Sequence, residues 1–210
     1  FNQLTVNMEG TFITIERSVE VLHKDRGSKF IGLAFHVDSE DSLKTLLNDL
    51  RVKYADSTHV CYAYRLGLNG ENYRANDDGE PSNSAGQPIL REIKSKNLTY
   101  TLVAVVRYYG GKKLGVSGLI EAYGSAAKQA LDGCTIVTKT VQKRAWIRHL
   151  GAKDFQVYEL ANRFDFTIVQ PPSLIGGYFE IKLAESKYSE FQRQLESLPN
   201  FELTDKPNRV

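Results

Sequence analysis

Apolar and β-branched residues recur with partial alternation through "TFITIERSVEVLH" and again through "SKFIGLAFHV". That is the period of two expected of strands, and "KDRG" between them reads as a turn. The period then changes. In "SEDSLKTLLNDLRVKY" Leu43, Leu46, Leu47 and Leu50 fall at i, i+3, i+4 and i+7, one stripe of a helix that Ser39 is placed to cap. "THVCYAYRLG" returns to a strand, "LNGEN" turns, and "YRA" continues it briefly. Ser84 and Gln87 have the spacing of a capping box, so a short helix is expected to begin there, with Pro88 tolerated in its first turn. "TYTLVAVVRYY" is the most apolar strand and is expected at the centre of a sheet. After a glycine loop, the helix "SGLIEAYGSAAKQALDG" places Leu119, Tyr123 and Ala127 or Ala130 on one face.

From about Lys139 the pattern restarts. "VQKRAWIRH" reads as a strand, "GAKDFQVYELANR" as a helix, "FDFTIVQ" as a strand and "PPSLIGG" as a turn. The strand "YFEIKLA", the helix "SKYSEFQRQLESL" and the strand "FELTD" follow, and Tyr188, Phe191, Leu195 and Leu198 form a single stripe on that helix. The order βαββαβ is the ferredoxin-like pattern. The chain is therefore expected to hold two α+β domains, residues 8–136 and 137–210, with no repeat and no low-complexity linker between them.

Composition narrows the classes. Apolar residues make up 41%, enough for a packed core and too many for disorder. No run approaches the roughly 18 apolar residues of a membrane span, and no leader pattern stands near the start, so no membrane partner is expected. Met8 is the only methionine, and Phe1 to Asn7 read as an upstream extension. Cys61 and Cys134 are too sparse for a disulfide framework or a closed zinc site, which makes a reducing cytoplasm the simplest home. Net charge is 27 − 25 = +2, with 16 basic against 16 acidic residues up to Ile136 and 11 against 9 beyond it. Neither half has the basic footprint of a general nucleic-acid binder, so contact with RNA has to use a local patch.

Two stretches carry the candidate chemistry. In "VAVVRYYGGKKLGVSGLIEAYG", Gly110, Gly111, Gly115 and Gly118 allow close backbone approach to an anion at a helix N-terminus, and Arg107, Lys112 and Lys113 make the local charge positive. Neither GxxxxGK[ST] nor GxGxxG is present, so ATP or dinucleotide binding is unsupported. The plain alternative is a tight turn whose glycines supply positive φ and close helix–sheet packing.

In "NDDGEPSNSAGQPIL", Asp77, Asp78 and Glu80 crowd around Gly79. The spacing matches no calcium loop, and a short polar loop is expected to leave all three carboxylates solvated. Three readings stand: a turn whose Glu80–Pro81 leads to the Ser84 cap, with carboxylates favourable to the helix dipole; ion pairs with Arg107, Lys112 or Lys113 if the two loops meet; or a ligand or metal pocket. His59 and Cys61 share one face of a strand, too far apart for a nucleophile pair. Val60, Tyr62 and Tyr64 with Tyr73, Tyr108 and Tyr109 form either a base-stacking platform or ordinary sheet packing. His23, His36 and His149 are isolated, no catalytic order is present, and neither cofactor nor metal is expected.

Together, "DDGEPSNSAGQPIL" and "VVRYYGGKKLGVSGLIEAYG" resemble the signature of the IMPACT/YigZ family, an uncharacterised UPF family. "RGSKFIG" and "THVCYAYRLG" are similar to its other marked segments, and the resemblance covers about residues 15–135. One departure is Asn83–Ser84, where many members have Gly-Thr. The C-terminal part resembles the small ferredoxin-like domain of bacterial members. The resemblance implies a first domain of the ribosomal-protein-S-five second-domain type, like domain IV of elongation factor G, and a second like that factor's domain V. It implies a non-enzymatic, translation-associated protein that binds RNA or the ribosome, with a protein partner as a further option. Phosphates would be held by Arg107, Tyr109, Lys112 and Lys113 over Gly110, Gly111, Gly115 and Gly118. Asp77, Asp78, Gly79, Glu80, Ser84 and Gln87 would order the neighbouring loop. Eukaryotic members restrain an initiation-factor kinase using an RWD domain absent from this sequence, so that activity is not expected. The rival expectation is an enzyme or small-ligand protein with a pocket between the acidic loop and the glycine turn.

Overall fold

The computed structural model describes residues 10–151, 154–172 and 177–206. Phe1 to Asn7, Met8 and most of the "PPSLIGG" turn lie outside them. The described residues divide into two compact units, Phe12–Lys139 and a second one holding those from Thr140 onward together with Gly10 and Thr11. The division falls after Lys139, slightly beyond the expected 136/137 boundary, because β7 (Ile136–Thr140) pairs with β1 (Thr11–Ile15) in a two-stranded sheet. The sequence pattern assigned no strand to "IVTKT". It also ran β1 and β2 (Val19–Asp25) together as one strand. They belong to different sheets, and the chain breaks at Glu16–Ser18, three exposed residues.

In the first unit a five-stranded antiparallel sheet has the order β2-β3-β6-β4-β5, with β3 at Ser28–His36, β4 at His59–Leu66, β5 at Asn72–Asn76 and β6 at Thr101–Tyr108. β6 is central and is buried on both faces, which explains its unbroken apolar run. On one face Leu102, Ala104 and Val106 meet Leu43 and Leu50 of α1 (Glu40–Lys53) and the Tyr54 that follows it. Ser39 caps α1 as expected: its hydroxyl accepts from Ser42 N, and the Ser42 hydroxyl accepts from Ser39 N. On the other face Val103 and Val105 pack with Phe30, Cys61 and Ala63 under α2 (Gly86–Ser95) and α3 (Gly115–Asp132). Leu119, Tyr123, Ala127 and Ala130 of α3 are all buried there. Gly32 lets α3 lie flat on β3, because a Cβ at that position would stand 2.5 Å from Ala126 O.

The second unit has the order β8 (Gln142–His149), α4 (Phe155–Phe164), β9 (Thr167–Gln170), β10 (Phe179–Ala184), α5 (Glu185–Glu196) and β11 (Phe201–Thr204). Its sheet order is β11-β8-β10-β9, so the βαββαβ pattern closes with its first and third strands central. Phe191 and Leu195 of α5 are buried against Ile147, Phe179 and Ile181, with Tyr188 and Leu198 packed at the margin.

Gly32→Ala is expected to destabilise the first unit by about 1–3 kcal/mol, since neither β3 nor the α3 backbone can yield cheaply. A lowered urea midpoint at unchanged slope would report it.

Candidate functional site

The acidic loop begins where β5 ends. Asp78 and Gly79 both take positive φ (43° and 88°), and Glu80 N donates to Asp77 O at 2.9 Å, closing a tight turn of the type that favours Asp-Gly. Each carboxylate then has a separate task. Asp77 accepts from the backbone N–H groups of Asn83 (2.8 Å), Ala85 (3.0 Å) and Gly86 (2.8 Å), so it caps α2 from across the loop. Asp78 accepts from Val60 N at 2.7 Å, and its carbonyl oxygen lies 2.7 Å from His59 Nδ1. Glu80, its side chain only 4% exposed, meets Arg107 Nη1 at 2.5 Å, the Tyr123 hydroxyl at 2.8 Å and His59 Nε2 at 3.8 Å.

This arrangement corrects two expectations. Ser84 and Gln87 form no capping box: α2 starts at Gly86, Ser84 Oγ donates to Pro81 O at 2.6 Å, and Gln87 is exposed. The reason is that Asp77 already occupies the amides a local cap would serve. Nor are the carboxylates all solvated, because Glu80 is drawn inside by its ion pair.

The glycine loop runs from Tyr109 to the start of α3. Gly110 lies against Gly27 of the β2–β3 turn with no room for a side chain, and its N–H donates to Ser28 Oγ at 3.1 Å. Gly111 and Gly115 take positive φ with open space around them. Gly118 is buried in the first turn of α3, close to the Leu114 side chain. Lys112, Lys113 and Tyr109 are exposed. Neither side-chain cap nor acidic residue occupies the first turn of α3, so its amide dipoles meet these lysines uncompensated.

Arg107 does not join them, contrary to expectation. It is 5% exposed, paired with Glu80, and stacked between the rings of Phe30 and Tyr109, each 5.5 Å from the guanidinium carbon. Its Nε is buried without a hydrogen-bond partner. The basic group that sequence reading passed over is Arg26: it is exposed, and its Nη1 is 3.5 Å from Leu114 O at the foot of α3. Its signal was present in "RGSKFIG", but only the Gly27–Gly110 contact brings that turn to the loop.

The tyrosines do not form one platform. Tyr62, Tyr64 and Tyr108 pack under α1, while Tyr73 stands opposite Arg65 on the α2 side, beneath Lys94. Cys61 is fully buried, its thiol donating to Asp77 O and pushed up in pKa chiefly by burial, so it is no nucleophile. His36 is not isolated: Nε2 meets Asp38 at 2.7 Å and Nδ1 meets the Thr14 hydroxyl at 2.9 Å. Thr14 is wholly buried, so this carboxylate–imidazole–hydroxyl line ties β1 to β3 and offers nothing to a substrate. Among the described residues, no three His, Cys, Asp or Glu side chains are placed to hold a metal ion, and no helix is long and apolar enough to cross a membrane.

A family model for the Impact N-terminal domain matches residues 26–131, half of the 210-residue chain and the whole span from Arg26 through both loops. The chain is a member of the IMPACT family. It is 37% identical over 125 residues to the IMPACT family member YvyE of Bacillus subtilis, covering 60% of this chain and 56% of that relative. To YigZ of Escherichia coli it is 35% identical over 124 residues, covering 58% and 61%. The matches thus span little more than half the length of these curated relatives. A crystal structure of a hypothetical protein matches the two-domain α/β fold with a TM-score of 0.70 at 25% identity, covering 95% of this chain and 98% of that one.

Removing the Glu80 carboxylate leaves a buried guanidinium unpaired. Glu80→Ala is expected to cost about 3–5 kcal/mol in chemical denaturation, whereas Glu80→Leu with Arg107→Met recovers most of that loss. A double variant as unstable as the single one would show that the pair is not the source.

Proposed function

We propose that this IMPACT family protein is a non-enzymatic, translation-associated regulator of the cytoplasm that binds phosphate-rich RNA, alone or in the ribosome, through the β6–α3 loop. The observation that carries the reading is the grouping of exposed Arg26, Lys112 and Lys113 around the uncapped start of an 18-residue helix. Backbone amides and cations then face the same space, and Gly111 and Gly115 leave it open to a bulky anion. Tyr109, 47% exposed, offers a ring on which an unpaired base can stack. Gly110 and Gly118 serve this surface indirectly, by fixing the loop against Gly27 and Leu114.

The link of eukaryotic family members to translation control supports the translational part of this reading. So does the division into two α+β units, which we read as counterparts of domains IV and V of elongation factor G. Asp77, Asp78 and Glu80 act as braces within it. Asp77 and Glu80 are engaged inside the fold, which weighs against the rival pocket reading.

Three phosphate-facing cations predict a shallow salt dependence, with log affinity falling against log salt at a slope of about −2 to −3. Co-sedimentation with ribosomes, and titration of a fluorescent tRNA, would measure it. Lys112→Glu/Lys113→Glu is expected to abolish binding at moderate salt, and Arg26→Glu to weaken it roughly tenfold. An affinity indifferent to salt and to these substitutions would remove the loop from consideration.

A further inference from the structure

The five-stranded sheet has two edges, β2 and β5. β5 is five residues long with Arg74 its only charge, whereas β2 spans seven residues, "VEVLHKD". The turn from β2 to β3 passes through Arg26 and Gly27, both at positive φ (46° and 86°), the two-residue hairpin of type I′. Such a turn makes Asp25 and Ser28 a hydrogen-bonded pair, and alternation along the ladder then assigns the outward N–H and C=O groups to Lys24, Leu22 and Glu20. Among the described residues no backbone hydrogen bond reaches that outer side.

The same three residues share one face of the strand, the face of α1. Leu22 is 53% exposed. Lys24 stands directly opposite Lys29 on β3, an unfavourable like-charge pair with no carboxylate in ion-pair contact among the described residues. One helix cannot cover five strands, and a cavity of about 380 Å³ lined by Val19, Glu20, Leu33 and Leu46 remains between α1 and this margin.

We propose that two copies of this chain join edge to edge through β2, antiparallel and centred on Leu22. In that register Leu22 faces the second copy's Leu22, and each Glu20 faces the other copy's Lys24. The pairing satisfies the outward backbone groups of all three residues on both chains, and brings a carboxylate to the Lys24–Lys29 pair. A lysine on an edge strand ordinarily repels a second copy. Here Glu20, two positions to the other side of Leu22, already takes Lys53 Nζ (3.2 Å) and the Tyr54 hydroxyl (3.3 Å) on Oε2. Its other oxygen, Oε1, turns that repulsion into attraction, which makes the strand self-complementary. β5 has no comparable complement. The sheet would run continuously through ten strands, and because a strand pair buries little area the dimer is weak. The inference is independent of RNA binding.

Sedimentation velocity on the full chain, from micromolar to sub-millimolar concentration, tests it. A reversible monomer–dimer equilibrium is expected. Leu22→Pro, tolerated in the monomer because its N–H faces solvent, and Leu22→Lys should each raise the dimer Kd at least roughly tenfold with thermal unfolding little changed. Lys24→Glu and Glu20→Lys should each be monomeric alone, yet form a mixed dimer when combined, since both cross-strand pairs become complementary. A wild-type chain monomeric throughout, a dimer indifferent to Leu22→Lys, or a mixture that stays monomeric would overturn the proposal.

Discussion

A carboxylate taken out of water needs compensation from more than one side at once, and Glu80 draws it from two separate elements. Arg107 comes from the end of β6 and the Tyr123 hydroxyl from the middle of α3, while His59 at the start of β4 lies 3.8 Å away. The guanidinium is itself nearly without solvent, so neither partner of the pair can relax independently. The acidic loop is thereby fixed over the sheet, and the strand that launches the glycine loop is fixed with it. With the loop held, Asp77 lies in reach of the first amides of α2, and Asp78 in reach of the Val60 amide near the start of β4. The apparent crowding of acids is a set of three anchors, each tied to a different neighbour.

That inward engagement sets the character of the outer surface. The first unit is nearly neutral by count, yet charge engaged inside the fold contributes little to the field outside it. Around the start of α3 stand the exposed cations Arg26, Lys112 and Lys113 beside uncapped amides, with Asp25 3.9 Å from Arg26 as the nearby acid among the described residues. A patch too small to appear in the net charge is thus created by where the acids point.

Features legible in the sequence were those written within a few residues of one another. The leucine stripe and serine cap of α1, the apolar run of β6 and the βαββαβ order of the second unit all depend on period and adjacency. What the sequence hid was long-range. Asp77 caps a helix eight and nine residues away, which made the nearer Ser84–Gln87 spacing a decoy. Arg107 looks like one of three loop cations, and only its pairing across 27 positions with Glu80 reveals it as interior. Arg26 looks like a hairpin residue until two glycines from distant turns meet. Alternation that ran on through Glu16–Ser18 likewise concealed that the chain changes sheets there.

That change of sheets bears on how the first unit is joined to the rest of the chain. Its opening strand β1 and its closing strand β7 lie side by side, so the polypeptide enters and leaves through one doorway. A unit whose ends already touch can be carried between different contexts, or have its ends relocated, without stretching anything inside it. The paired strands act as a clasp: what happens to the chain outside it need not be felt by the two loops within.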